Sequence, residues 1–137
     1  MALDRHGLEI LTRQECLALL SSRPVGRVGL SAYALPAILP VTYRMLDEHV
    51  VFATATGSKS LAVAHENVIA FEVDDVDPAT RSGWSVLAVG VAREVTERDP
   101  DWLAARRLDL HPWAGRHAVH LIRLPTDRLS GRRLARR

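Results

Sequence analysis

Gly83-Trp84-Ser85-Val86-Leu87-Ala88-Val89-Gly90-Val91-Ala92-Arg93-Glu94-Val95 is the stretch on which the fold turns. It is long and β-rich, and Gly90 supplies a bend that lets one strand serve two sheets. Working outward, five more strands precede or follow it. Val25–Ser31 carries Gly26 and Gly29, a sign of close packing or a bulge. Ala34-Leu35-Pro36 turns the chain into a second strand over Ala37–Met45. Pro40 lies inside that strand and cannot donate to a ladder, which puts it at an edge, a bulge or a ligand site. Asp47-Glu48 is a hairpin turn into His49–Thr54, Val68–Val73 follows, and His117–Leu124 closes the set.

Helices are few. Thr12-Arg13-Gln14-Glu15 is a capping box ahead of Cys16, Leu17, Leu19 and Leu20, so residues 12–22 read as a short helix. Leu61–Ala64 fits a second, and Asp99-Pro100 opens another that runs to about Leu110. Asp74–Pro78 reads as a polar loop. Hairpin-linked strands without full crossover helices describe a mainly β fold: a six-stranded antiparallel split barrel with flanking helices.

The 137 residues fit one domain, with a core over 11–125 and a basic tail over 126–137. With 47% hydrophobic and 25% charged residues the composition is that of an ordinary globular chain. The net charge of +2 is too small to argue for nucleic acid, and the basic excess (Arg128, Arg132, Arg133, Arg136, Arg137) reads as a solvated tail. Cys16 is the only cysteine, so no intrachain disulfide forms. No signal core or membrane-length apolar run occurs, and the expected location is the cytoplasm. A core this small favours a homodimer.

Hard chemistry finds little support. None of the six histidines pairs with another at helical metal-site spacing, no serine sits in a Gly-x-Ser-x-Gly elbow, and Cys16 has no evident base. The acids Glu72, Asp74, Asp75 and Asp77 read as a solvated strand end and loop. One segment stands apart. Thr54-Ala55-Thr56-Gly57-Ser58-Lys59 follows a strand, precedes a helix and holds the only lysine, the other 17 basic residues being arginines. Such a turn presents backbone N–H groups to a phosphate, and a lysine adds a mobile charge. The same residues would also serve as a plain helix cap with a solvated lysine. It is not a Walker A loop, because no Gly-Lys pair exists. A chain that holds an anion without acid–base groups suits a bound cofactor.

Several pieces in order resemble the flavin split-barrel, or pyridoxamine 5′-phosphate oxidase-like, family. They are the first helix, Val25–Ser31, Leu39-Pro40-Val41-Thr42-Tyr43, Phe52–Lys59, Ala70-Phe71-Glu72-Val73-Asp74 and Ser82–Ala92. The resemblance covers 12–95 well and the rest loosely. It implies a homodimer with FMN at the subunit interface, taking electrons from a small-molecule substrate or donor. It implies that Thr54, Thr56, Gly57, Ser58 and Lys59 hold the phosphate. Pro40, Val41, Thr42 and Tyr43 would run along the ring and offer backbone groups. Trp84 and Ser85 would reach the flavin, often from the second subunit. A 5-deazaflavin coenzyme, haem and a non-catalytic storage role occur on the same barrel. The chain lacks the oxidase's C-terminal arginine–histidine substrate motif, so vitamin B6 oxidation is not expected. Val41 and Thr42 occupy the place of the usual clamp arginine, leaving Arg27 or Arg44 as its substitute.

Overall fold

The computed structural model describes residues 1–55, 64–110 and 119–134. In chain order these form β1 (Ala2–Leu3), β2 (Glu9–Ile10), α1 (Arg13–Leu20), β3 (Val25–Ala32), β4 (Leu35–Leu46) and β5 (His49–Ala55). There follow β6 (Val68–Asp77), β7 (Ser82–Val91), β8 (Arg93–Val95), α2 (Trp102–Arg106), β9 (Val119–Leu124) and β10 (Arg128–Leu134). Neighbours run in the order β1-β2-β10-β7-β6-β3-β4-β5-β9-β8, with antiparallel pairing throughout.

The barrel is made by two strands that change sheets. Over Leu35–Thr42, β4 pairs with β3; over Tyr43–Leu46 it pairs with β5. The second change joins β7, paired with β6 and β10, to β8, paired with β9. It falls at Ala92, whose N–H donates to the Asn67 carbonyl while its own carbonyl accepts from Glu66. The bend expected at Gly90 is therefore two residues late. Gly90 stays in register opposite Ile69, and a Cβ there would meet Leu124 Cδ1 at 3.4 Å. Its smallness lets the end of β9 approach β7.

Alternation fills the barrel. Val28 and Leu30 from β3, Val41 and Tyr43 from β4, and Ile69, Phe71 and Val73 from β6 all point inward and are buried. Gly26 is required by this packing, because a Cβ would lie 2.3 Å from Phe71 Cζ. A second cluster (Val51, Ala53, Val95, Leu121) lies on the other side of β5, β9 and β8, under Ala105 and Trp102 of α2. The capping box forms as read: Glu15 N–H donates to Thr12 Oγ1 at 3.2 Å and Thr12 N–H to Glu15 Oε1 at 3.0 Å. The two-residue turn Asp47-Glu48 has both φ values positive, as hairpin geometry demands.

Four readings change. The basic tail is structured: Arg128–Leu134 is β10, in register with β7 from Arg128↔Val89 to Leu134↔Gly83. Arg132 pairs with Asp4 and Arg133 with Glu9 and Glu15, so these charges tie the N-terminus to the sheet. The polar loop after Val73 is strand as far as Asp77. The turn between β3 and β4 is Tyr33-Ala34, one residue earlier than expected. The later helix is short, Trp102–Arg106, because Asp99 is taken up in a turn with Thr96. The helix expected at Leu61–Ala64 and His117 of the final strand lie outside the described residues in whole or in part.

Candidate functional site

A split between β4 and β5 is the central feature. The two strands are laddered only from Tyr43↔Phe52 to Leu46↔His49. Beyond that point β4 keeps β3 as its only ladder partner among the described residues, and Ala53–Ala55 of β5 keeps β9. Pro40 therefore sits on an edge, where its missing N–H costs nothing. The strand edges diverge at the place where the sequence puts cofactor contacts on both: Pro40–Tyr43 on one side, Thr54 and the turn after it on the other.

The expected residues divide by side-chain direction. Pro40 and Thr42 point to the outer face; Val41 and Tyr43 are buried in the barrel. Tyr43 is a core anchor: its hydroxyl donates to the Leu20 carbonyl, its ring meets Phe71 edge-on at 4.8 Å, and burial pushes its pKa up to about 12. Val41 and Tyr43 could thus serve a ligand through the backbone alone. Thr54 is buried at the end of β5, and its hydroxyl lies 3.5 Å from the His120 carbonyl. Thr56, Gly57, Ser58 and Lys59 lie outside the described residues.

Trp84 and Ser85 do not meet Pro40–Tyr43 within one chain. β7 lies three strands from β4, about 14 Å at the usual strand spacing. Trp84 is half-buried and borders two clefts of about 250 and 290 Å³. The first adds Leu8, Val76, Ser85 and Arg132; the second adds Asp75 and Arg133.

Two groupings escaped the sequence. On the outer face Arg27 reaches Glu72 at 3.3 Å and Asp74 at 3.6 Å. Burial, then the hydrogen bond and charge of Asp74, push the Glu72 carboxyl up to about 7 against the pull of Arg27. Alternation within β6 could have found this pair, had the strand been read past Val73. Arg27 is thereby committed, whereas Arg44 has no ion-pair partner among the described residues. Beside Thr54, His120 is hydrogen-bonded to Glu94 at 2.5 Å, and Glu94 N–H donates to His65 Nδ1 at 2.8 Å. These three come from separate segments and leave no local signature.

The sequence profile described as pyridoxamine 5′-phosphate oxidase matches residues 12–133, nearly the whole chain. The chain belongs to that family. Among its relatives is an uncharacterised protein of Mycobacterium tuberculosis, 37% identical over 90% of this chain and 84% of its own length. Of solved structures, the FAD binding protein from Mycobacterium smegmatis is 37% identical, with a TM-score of 0.78 over 93% of this chain and 100% of that one. A protein of unknown function from Corynebacterium diphtheriae is 30% identical, with a TM-score of 0.75 over 93% and 98% of the two chains. The oxidase-family match runs through β10, a segment for which the sequence alone suggested only a tail.

Proposed function

We propose that the chain is a flavin-binding oxidoreductase whose cofactor occupies the split between β4 and β5, with two copies completing each site. The observation that carries this reading is the divergence of β4 and β5 beyond Tyr43 and Phe52. It leaves the Pro40–Tyr43 edge and Thr54 unpaired with each other, and these are the edges along which a flat ring with a phosphorylated side chain would lie. The 37% likeness to an FAD binding protein supports the cofactor class and favours FAD beside FMN.

In that split the backbone of Val41 and Thr42 orients the ring's polar edge, and Thr54, Thr56, Gly57, Ser58 and Lys59 hold the phosphate. Arg44, on the same outer face as Pro40 and Thr42, is a better-placed second cation than the committed Arg27. A flavin supplies hydride acceptance and onward electron transfer, so no side chain of this chain need act as acid or base. Trp84 and Ser85, three strands away in their own chain, would reach the ring from a second copy.

Anaerobic mixing of the flavin-loaded protein with NADH or NADPH tests the oxidoreductase reading. Bleaching of the flavin band within seconds to minutes is the expected result. A loaded protein that stays oxidised with both donors would mark a store or carrier, and a Soret band in place of a flavin spectrum would mark haem.

A further inference from the structure

The outer face of β7, β6, β3 and β4 carries side chains that a solvated sheet would not. Ile38 is 74% exposed and Val68 65%, and Leu87 and Val91 are also exposed. Register places these side chains on one surface: Ile38, Gly29, Ala70 and Val89 form a row across four strands, and Val68 faces Val91. Antiparallel sheets normally alternate apolar-in with polar-out, and a contiguous apolar patch marks a contact surface. With β10 the face spans five strands, about 24 Å wide, and eight residues of strand give about 26 Å of length. A footprint of about 600 Å² approaches the roughly 800 Å² per partner of a specific interface.

The occupant best matched to this face is a second copy. Over the small residues Gly29 and Ala70 lies a groove of about 340 Å³, and the protruding Ile38 stands at its lip. A surface with a knob beside a hole complements itself under two-fold symmetry. The remainder of the groove is lined by Arg27, Glu72 and Asp74.

We propose that this cluster makes the pairing of two copies proton-dependent: tightest when Glu72 holds a proton, and weaker as that proton leaves. The inference rests on the two-copy site proposed above and adds its regulation. With Glu72 protonated, the one remaining negative charge of the Glu72–Asp74 pair is balanced by Arg27, and a neutral cluster can be covered. With Glu72 ionised, each copy brings a net negative charge into the covered groove, and removing such a charge from water opposes association. Another cation on this face, Arg128 on β10, stands opposite Val89, two strands from Glu72 and in a different row. Across the sheet from Glu72 and Asp74, β7 offers Leu87 and Ser85, and β4 beyond Arg27 offers Pro40 and Ile38. Arg132 on β10 is engaged by Asp4. The raised Glu72 carboxyl places the transition near neutrality, and covering the groove moves it higher still. The paired state holds more protons, so raising the pH drives dissociation.

Sedimentation equilibrium on the full chain tests this at pH 6.5 and 8.5, with Glu72→Gln as the key variant and Asp74→Asn as a second. The wild type should pair at both values, with a dissociation constant at least about tenfold higher at pH 8.5, because up to two protons are linked to each pairing. Glu72→Gln, which mimics the protonated acid, should keep the tight constant at both values. Should it fail to fold by circular dichroism, Asp74→Asn must flatten the dependence instead. Equal wild-type constants at the two pH values, or an unchanged slope in the folded variants, would overturn the proton dependence and leave pairing intact. A monomer at both pH values up to high micromolar concentration would overturn pairing, and this inference with it.

Discussion

At the residue scale the question is which side chains touch a ligand and which merely hold the barrel. Tyr43 illustrates the second kind, since its ring and hydroxyl are both spent inside the core. Lys59 should be of the first kind. Lys59→Ala removes one charge-assisted hydrogen bond to the phosphate, about 1.5–3 kcal/mol, or roughly ten- to a hundred-fold in FMN dissociation constant. Riboflavin, which has no phosphate, should bind the wild type and the variant equally. Fluorescence titration of both ligands checks this, and parallel weakening toward the two would place Lys59 elsewhere. Trp84 should quench a bound flavin. Trp84→Ala should brighten emission and weaken binding by about 1–3 kcal/mol, as for loss of a large aromatic contact. Unchanged emission and affinity would reduce Trp84 to packing. At this scale the sequence names candidate residues but not the directions of their side chains. The parity that separates Pro40 and Thr42 from Val41 and Tyr43 is fixed only once β4 has a partner and a core side.

At the scale of elements, local signals were strongest where one short stretch decides the outcome. The Thr12/Glu15 capping box and the Asp47-Glu48 turn are complete within four and two residues, and both form as read. β10 is the opposite case. Arg128-Leu129-Ser130-Gly131-Arg132-Arg133-Leu134 has a basic, tail-like composition, and its strand character comes from pairing with β7, some forty residues earlier. The ladder in turn brings Arg132 and Arg133 to carboxylates that the N-terminal segment supplies. Gly131 reports on that placement. A Cβ there would stand 2.7 Å from Cys16 Sγ and 3.0 Å from Leu11 Cδ1. Gly131→Val should therefore destabilise the fold by about 1–3 kcal/mol through overpacking. Urea denaturation with an unchanged midpoint would mean that the segment is a free tail after all.

At the scale of the whole molecule, the split barrel was legible because β3–β4–β5 and β6–β7 pair with their neighbours in sequence, and β3, β4 and β6 carry a clear alternation. The order of the pieces along the chain mattered more than any one of them. What stayed illegible was the distance between sites on one sheet. Nothing local in the sequence says that Trp84-Ser85 and Pro40–Tyr43 fall three strands apart, and the proposed two-copy site rests on that separation. Nor does it reveal the apolar outer face, because Ile38, Val68 and Leu87 become neighbours only through register. The most direct measurement is a titration of the cofactor-free protein with FMN and with FAD, read by absorbance and by calorimetry together. The predicted result is saturable binding of one flavin per chain, with dissociation constants below about 10 μM, or about −7 kcal/mol. No binding of either flavin at tens of micromolar protein would contradict the assignment of the β4–β5 split as a flavin site.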